Sequence, residues 1–225
     1  MTNVIRSFDR PHPDHVAEIA KFPPATLHEA QGRRGAVDSR IKPLAPGMHF
    51  CGPALTAACH IGDNLMIFEA ISLAQPGDVL VMSAGNNHEQ GGFGEVLATA
   101  CSARKIAAFV VDAGVRDGSA LRTLGLPVFS LGLCIKGTAK ETVGTINHPI
   151  VLGGELIRPG DILAGDDDGL VVVRKEEILQ VAKASAAREE DEAHLMASLR
   201  SGQPMDINAR LAVMRAKGCT WGDRS

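Results

Sequence analysis

Apolar residues follow two different spacings along the chain. Residues 13–22 and 23–32 have the spacing of helices, with prolines where the second helix begins and a glycine where it ends. From residue 50 onward, short apolar runs alternate with amphipathic stretches. The predicted strands cover residues 50–60, 78–84, 106–114 and 126–133, and the predicted helices cover residues 63–77, 94–105 and 118–125, with Asp63 as a cap of the first. This βαβ rhythm predicts an α/β fold with a mostly parallel sheet and covering helices.

The C-terminal part of the chain has a different pattern. Short β segments punctuated by glycine, proline and aspartate cover residues 141–174 and predict an antiparallel or barrel-like portion that closes the sheet. A long charged helix and a second helix follow, over residues 175–202 and 205–218. We therefore predict an α/β domain over residues 1–174 and a helical extension over residues 175–225. The apolar stripe of the extension would pack on a neighbouring subunit.

Composition and charge exclude several classes of protein. The 225 residues, 45% of them hydrophobic, are enough for one domain with a core. The net charge is −3 and the basic residues are scattered, so we expect no nucleic-acid partner. No apolar run is long enough to span a membrane and the N-terminus lacks a signal-peptide pattern, so we expect a cytoplasmic protein without a membrane partner. Five cysteines without a C-x-x-C pair predict neither a disulfide framework nor a zinc site.

An acid and an Arg-Asp pair lie one βαβ unit apart. Twenty residues separate Glu95, at the start of a predicted helix, from Arg116 and Asp117, which follow a predicted strand. A helix, a short turn and a strand of that combined length return the chain to the same edge of a parallel sheet. We therefore expect these three side chains to face one another at the carboxyl edge, where open α/β sheets bind ligands.

The glycines before Glu95 predict a close approach of a ligand to the backbone. The segment "GGFG" leaves the N–H groups of Val96 and Leu97 accessible, and free amides at a helix N-terminus suit a small carboxylate. The segment "GGFGEVL" is not a dinucleotide fingerprint, because Leu97 stands at the third glycine position. NAD is therefore not expected.

The chain resembles one known family in six motifs: "TLHEAQGRRG", "GDNLM", "GFGEVLATACSAR", "VDAGVRD", "GTAKETVG" and "GDDDGLVVV". The family is that of the 4-hydroxy-4-methyl-2-oxoglutarate/4-carboxy-4-hydroxy-2-oxoadipate aldolases, and the resemblance extends from about residue 25 to residue 215. These are class II, metal-dependent pyruvate aldolases of the RraA-like superfamily, which also contains regulators of RNase E. The resemblance implies an RraA-like β/β/α swivelling-domain fold with a mixed sheet and a long C-terminal helical extension. It also implies a homotrimer or homohexamer.

The resemblance assigns roles to the residues of the predicted site. Asp117 would bind a divalent metal, Mg²⁺ or Mn²⁺, directly, Glu95 would hold metal-bound water, and Arg116 would contact the keto oxygen of the substrate. Backbone amides near three residues would receive the pyruvate carboxylate: Gly94, Val96 and Leu97. A glutamate from the C-terminal helix of a neighbouring subunit would complete the metal site. Glu192 matches it best, with Glu189 and Glu190 as alternatives.

The chemistry of these residues agrees with the reaction of that family. Cleavage of a 4-hydroxy-2-oxo acid between C3 and C4 leaves electrons that delocalise into the 2-keto group as a pyruvate enolate. Magnesium keeps several waters and uses one or two protein carboxylates, which suits Asp117 and Glu95. Arg116 adds a positive donor to the same oxygen. Oxaloacetate loses carbon dioxide through the same enolate, so a decarboxylase side activity is implied, and the resemblance places the substrate in aromatic compound catabolism.

Other residues have weaker or alternative assignments. Lys140, together with Arg33 and Arg34, would meet the distal carboxylate of the substrate. His88 is the histidine nearest the glycine segment and remains a candidate acid or base. The segment "DDDG" over residues 166–169 predicts a tight turn between strands rather than a calcium site.

Two other functions remain open at this stage. A class I aldolase would form a Schiff base through a lysine such as Lys136 or Lys140. A non-catalytic RraA-like protein would instead bind and regulate a ribonuclease. The complete acid and Arg-Asp motif and the long C-terminal extension favour the metal-dependent aldolase.

Overall fold

The computed structural model describes residues 2–222 as an α/β protein with a long C-terminal helix. The helices are α1 (Pro13–Ile19), α2 (Pro24–Ala30), α3 (Leu65–Leu73), α4 (Glu95–Ala103), α5 (Gly118–Leu124), α6 (Ile178–Arg200) and α7 (Asn208–Ala216). The strands are β1 (Lys42–Pro43), β2 (Phe50–Ala58), β3 (Val79–Gly91), β4 (Ala108–Val115), β5 (Val128–Ser130), β6 (Gly132–Leu133), β7 (Thr145–Ile146), β8 (Ile150–Leu152), β9 (Glu155–Ile157), β10 (Ile162–Asp166) and β11 (Gly169–Val173). The predicted order of helices and strands is confirmed.

The centre of the main sheet is parallel. Strands β2, β3, β4 and β5 pair in parallel, and α3, α4 and α5 connect them in turn. Every residue of β4 is buried. Its residues are apolar except for Asp112, as expected where helices or further strands cover both faces of a parallel sheet. The predicted βαβ rhythm is therefore confirmed.

Antiparallel strands extend the sheet on both sides. The order is β1-β5-β4-β3-β2-β10-β11, in which β10 pairs antiparallel with β2 and β11, and β1 pairs antiparallel with β5. β1 and β11 are the two ends of this strand order, and a β-bridge between Ala36, in the segment before β1, and Val171 of β11 brings them close together. The mixed sheet is therefore nearly closed. Strands β8 and β9 form a separate hairpin. The segment "DDDG" over residues 166–169 is the tight turn between β10 and β11, as predicted, since Asp166 pairs with Gly169 across it.

Strand β3 runs further than the predicted strand, which ends at residue 84. In the polar segment 85–91, Asn87 and Gly91 pair again with β4, and an irregularity in the register precedes each of them. The buried carboxylate of Asp112 makes this possible, because it accepts hydrogen bonds from the amides of Ala84 and Asn86 where the ladder is interrupted. Burial raises the pKa of Asp112, and these amide donors oppose the increase.

The first compact unit ends at residue 186, whereas the predicted boundary is Arg174. The unit extends into α6 because Ile178, Val181 and Ala182 are buried in a cluster with residues of α2, β10 and β11. The second unit contains the rest of α6 and α7, and α7 has no buried residue. Packing of this extension on a neighbouring subunit stays a prediction. None of the helices within residues 2–222 is both long enough and apolar enough to cross a bilayer.

Candidate functional site

The acid and the Arg-Asp pair meet at the carboxyl edge of the parallel strands. Glu95 is the first residue of α4, and Asp117 lies between the end of β4 and the start of α5. The backbone amide of Glu95 donates to Asp117 Oδ2 at 3.0 Å. Arg116 Nε lies 3.7 Å from the same oxygen, and both side chains are about half exposed. Arg116 and Asp117 therefore approach the start of α4 as predicted, but the contact is made by the backbone of Glu95 and not by its side chain.

The backbone fixes this junction from both sides. The amide of Arg116 donates to the carbonyl of Phe93 at 2.9 Å, which ties the end of β4 to the residues before α4. Phe93 is buried and its ring stacks on that of Phe109 in β4, with centroids 3.7 Å apart. Asp117 itself has a left-handed backbone, with φ of 59°. The site therefore rests on the core through Phe93 rather than on a free loop.

Gly94 allows the carboxylate of Asp117 to approach the start of α4. A Cβ atom at this position would lie 2.3 Å from Asp117 Oδ2 and 3.0 Å from Arg116 Cγ. Its φ of −153° is extended backbone that other residues also adopt. Glycine is therefore required here because of the neighbouring side chains and not because of the backbone angle.

A pocket of about 190 Å³ opens beside these residues. Its lining combines backbone from the glycine segment with side chains of α3, α4, the end of β4 and the loop after β6: Asn64, Phe68, Gly92, Gly94, Val96, Leu97, Arg116, Asp117, Thr138 and Lys140. Most of the predicted site residues therefore share one pocket. Sequence reasoning did not identify Asn64, Phe68 and Thr138 as pocket residues, although "GDNLM" and "GTAKETVG" are among the motifs that carry the resemblance.

The N-terminus of α4 presents unpaired amides to this pocket. The Glu95 amide is used by Asp117, whereas the amides of Val96 and Leu97 donate to no acceptor within residues 2–222. Two free N–H groups on the first turn of a helix, with the positive end of its dipole, favour an anionic group such as a carboxylate. Arg116 and Lys140 add positive charge to the same lining.

Some predicted residues lie elsewhere. The side chain of Glu95 is exposed and does not line the pocket, although its backbone holds Asp117. Arg33 and Arg34, just after α2, form ion pairs with Glu29 and Glu177 and do not line the pocket either. Glu192 lies in the second unit, where it pairs with Arg188 at 2.7 Å. Its predicted role in a neighbouring site stays a prediction.

Lys136 and His88 both contact Glu89 outside the pocket. The hydrogen bond from Lys136 to the Glu89 carboxylate, with the attraction of its charge, raises the pKa of this lysine. A Schiff-base lysine needs the opposite shift, because the neutral amine is the nucleophile. The geometry at Lys136 therefore disfavours the class I alternative at this residue.

The donors at the site suit a sparsely coordinated hard cation. Within residues 2–222 no three His, Cys, Asp or Glu side chains converge to hold a metal. Asp117 Oδ2 accepts the Glu95 amide, whereas no hydrogen bond to Oδ1 occurs among the described residues. Magnesium commonly binds through one or two carboxylates and keeps waters in its other positions. The residues present therefore fit Mg²⁺ better than a metal that needs a closed cage.

Comparisons with known proteins agree with this fold. A family model described as "RraA-like: Aldolase/RraA" matches residues 14–172. A protein of Halalkalibacterium halodurans, named "Putative 4-hydroxy-4-methyl-2-oxoglutarate aldolase", is 36% identical over 180 residues, which are 79% of this chain and 86% of that protein.

Solved structures agree as well. A Streptomyces coelicolor protein, described as an unusual member of the RNase ES inhibitor RraA protein family, has a TM-score of 0.73 and 27% identity over 85% of this chain and 100% of that one. An uncharacterized protein from Pseudomonas syringae has a TM-score of 0.78 at 23% identity, over 88% of this chain and 97% of that one, and shows the fold alone. The chain has the RraA-like mixed α/β fold and belongs to the RraA-like, Aldolase/RraA family.

Proposed function

We propose that this protein is a divalent-metal-dependent aldolase. Its substrates would be 4-hydroxy-4-methyl-2-oxoglutarate or 4-carboxy-4-hydroxy-2-oxoadipate, cleaved to pyruvate plus pyruvate or oxaloacetate. The observation that carries the proposal is the pocket in which Asp117, Arg116 and the free amides of Val96 and Leu97 lie together. The aldolase name of the relative from Halalkalibacterium halodurans supports the same reaction class.

The chain supplies binding and charge for this reaction. The amides of Val96 and Leu97 would receive the pyruvate carboxylate at the N-terminus of α4. Arg116 would then face the keto oxygen, where negative charge develops as the C3–C4 bond breaks. A preorganised donor at such an oxygen contributes roughly 3 to 4 kcal/mol of transition-state stabilisation.

Asp117 would hold the cation directly and Glu95 would hold its water from the exposed rim. A divalent cation supplies Lewis-acid stabilisation of the charge on the keto oxygen. Glu192 of a second copy would complete the ligands, so the active form would be a homotrimer or homohexamer. Since the same charge develops when oxaloacetate loses carbon dioxide, we propose that Arg116 also supports a decarboxylase side activity.

The test is pyruvate release from 4-carboxy-4-hydroxy-2-oxoadipate with and without Mg²⁺. We expect EDTA to abolish release and Mg²⁺ or Mn²⁺ to restore it, because the site has few ligands of its own. Full turnover after thorough chelation would contradict metal dependence. No release from either substrate would contradict the aldolase and favour the ribonuclease regulator suggested by the RraA relatives, which a ribonuclease-binding assay would then examine.

A pair of substitutions sharpens this test. Asp117→Asn should lose most activity and remain folded, because a neutral amide is a far weaker magnesium ligand. The matched control is Asp168→Asn in the exposed β10–β11 turn, which removes the same charge away from the pocket. Equal activities of the two variants would contradict the assignment of Asp117 as a metal ligand.

A further inference from the structure

The loop that brings Lys140 to the pocket has no core of its own. This loop, residues 134–144 between β6 and β7, contributes Thr138 and Lys140 to the pocket lining. None of its residues is buried. Its position therefore depends on hydrogen bonds rather than on apolar packing, since partly and fully exposed side chains contribute little burial energy.

One buried carboxylate joins this loop to the start of α3. Asp63, which is 3% exposed, accepts from the amide of Leu65 through Oδ1 at 2.7 Å. Its Oδ2 accepts from the amides of Glu141 and Thr142 at 2.8 and 2.9 Å. The two oxygens of one side chain thus bind both the first turn of α3 and the two residues that follow Lys140.

A backbone seam holds the residue on the other side of Lys140. The amide of Ala139 donates to the carbonyl of Gly62 at 2.8 Å, and the amide of Asn64 donates to the carbonyl of Ala139 at 3.1 Å. Lys140 is therefore fixed between the seam at Ala139 and the carboxylate contacts at Glu141. Both sets of contacts come from residues 62–64.

We propose that Asp63 is a positioning residue that sets the place of Lys140 in the substrate pocket. Its carboxylate does not line that pocket, so it acts through the loop and not on the substrate. The inference rests on the proposed function in one respect: Lys140 is taken to meet the distal carboxylate of the aldol substrate. Asp63 would then determine affinity for this end of the substrate without taking part in bond cleavage.

The charge of Asp63 matters because, within residues 2–222, every group that hydrogen-bonds to its carboxylate is an N–H donor. Burial by itself raises the pKa of a carboxyl, but the amides of Glu141, Leu65 and Thr142 outweigh it and hold the pKa of Asp63 below its ordinary value. An asparagine at this position has only one acceptor oxygen, and its NH2 group would face N–H donors either at Leu65 or at Glu141 and Thr142. It would therefore keep the contact with α3 or the contact with the loop, but not both.

The test combines kinetics with amide hydrogen exchange. Asp63→Asn should raise KM for the aldol substrate on the order of tenfold with kcat little changed, as expected when only ground-state binding is lost. Lys140→Met should have a similar effect. The double variant should be no worse than Lys140→Met alone, since coupled residues are not additive. Independent, multiplicative effects, or a loss confined to kcat, would overturn the proposal.

Hydrogen exchange gives an answer that does not depend on activity. In Asp63→Asn the amides of Glu141 and Thr142 should exchange at least roughly tenfold faster, while those of β4 stay protected. The control is Glu141→Gln, which changes a loop side chain and leaves the backbone donor intact. Unchanged exchange at Glu141 and Thr142 would overturn the proposal that Asp63 holds this loop. If the wild-type protein releases no pyruvate, the proposed function fails and exchange still decides the role of Asp63.

A second variant covers a failure to fold. Asn64 is the N-cap of α3, and Asp63 precedes it and accepts from the amide two residues on. A serine hydroxyl can make the same contact with the Leu65 amide, but it lacks a second oxygen for the loop. Asp63→Ser should therefore preserve α3 and release residues 141–142. Normal KM and normal exchange in this folded variant would overturn the proposal as well.

Discussion

Replacing Gly94 by alanine would place a methyl carbon 2.3 Å from Asp117 Oδ2. An ordinary contact begins at 3.4 Å, so the carboxylate would have to move by about 1.1 Å, the difference of the two distances. The 3.0 Å hydrogen bond from the Glu95 amide would lengthen or break in the same movement. Arg116, whose Cγ would lie 3.0 Å from the new atom, would be displaced with it.

The expected loss is catalytic rather than structural. A misplacement of about 1 Å at a reacting centre costs roughly a hundredfold in rate, or about 2.7 kcal/mol of activation free energy. We expect kcat/KM for pyruvate release to fall by that factor in Gly94→Ala. The melting temperature should shift by no more than roughly 2–4 °C, because the backbone angle suits alanine and the Arg116 and Asp117 side chains that the methyl group would meet are about half exposed.

Gly137→Ala is the matched control. The same methyl group there would meet only Arg116 Nη1, at 3.8 Å, which is an ordinary contact. Steady-state kinetics and thermal unfolding of both variants complete the comparison. Wild-type turnover in Gly94→Ala, or an equal loss in both variants, would refute the argument that the close approach of Asp117 to α4 sets the catalytic geometry.

Three other predictions concern the side chain of Arg116, the stability of the protein in acid and the length of the chain. Arg116→Lys should lower kcat by about a hundredfold for both cleavage and oxaloacetate decarboxylation, because lysine lacks the planar fork, and near-normal kcat for either would remove Arg116 from that role. The lowered pKa of Asp63 stabilises the folded chain above pH 3.8, and this contribution should be lost as the pH falls from 3.8 through the lower pKa of the folded state, because the unfolded chain binds the proton more readily. In acid unfolding, the free energy of unfolding of Asp63→Asn should therefore depend less on pH over this range than that of the wild type. Truncation after Ala186 should leave the first unit folded, whereas truncation after Arg174 should lower the melting temperature strongly by removing the buried start of α6; equal melting temperatures would contradict the boundary.

Local pattern was sufficient to predict the order of elements and the approach of Arg116 and Asp117 to the start of α4. The alternation of apolar runs follows from the burial of parallel strands, and a βαβ return has a nearly fixed length. Both are properties of contiguous segments. The approach of Arg116 and Asp117 to the N-terminus of α4 could therefore be inferred from the sequence, whereas the placement of the Glu95 side chain outside the pocket could not.

The remaining parts of the site depend on contacts that no local pattern contains. The extension of β3 needs Asp112 to capture two amides of another strand, and its residues 85–91 are polar enough to suggest a loop. The pocket wall at Thr138 needs the loop after β6 to be held by Asp63, more than seventy residues away in the chain. Such pairings become visible only in three dimensions. The predicted role of Glu192 in a neighbouring site is of the same kind, since it would depend on contacts between subunits.

The left-handed backbone at Asp117 limits which mutants of this residue can be interpreted. Asparagine adopts positive φ readily, so Asp117→Asn changes the charge and keeps the geometry. Alanine, the usual choice in a mutational scan, would add roughly 1–2 kcal/mol of backbone strain beside the start of α5. In an alanine scan, a loss of activity at this position would therefore combine the strain of the backbone with the loss of the carboxylate, and the two effects could not be separated.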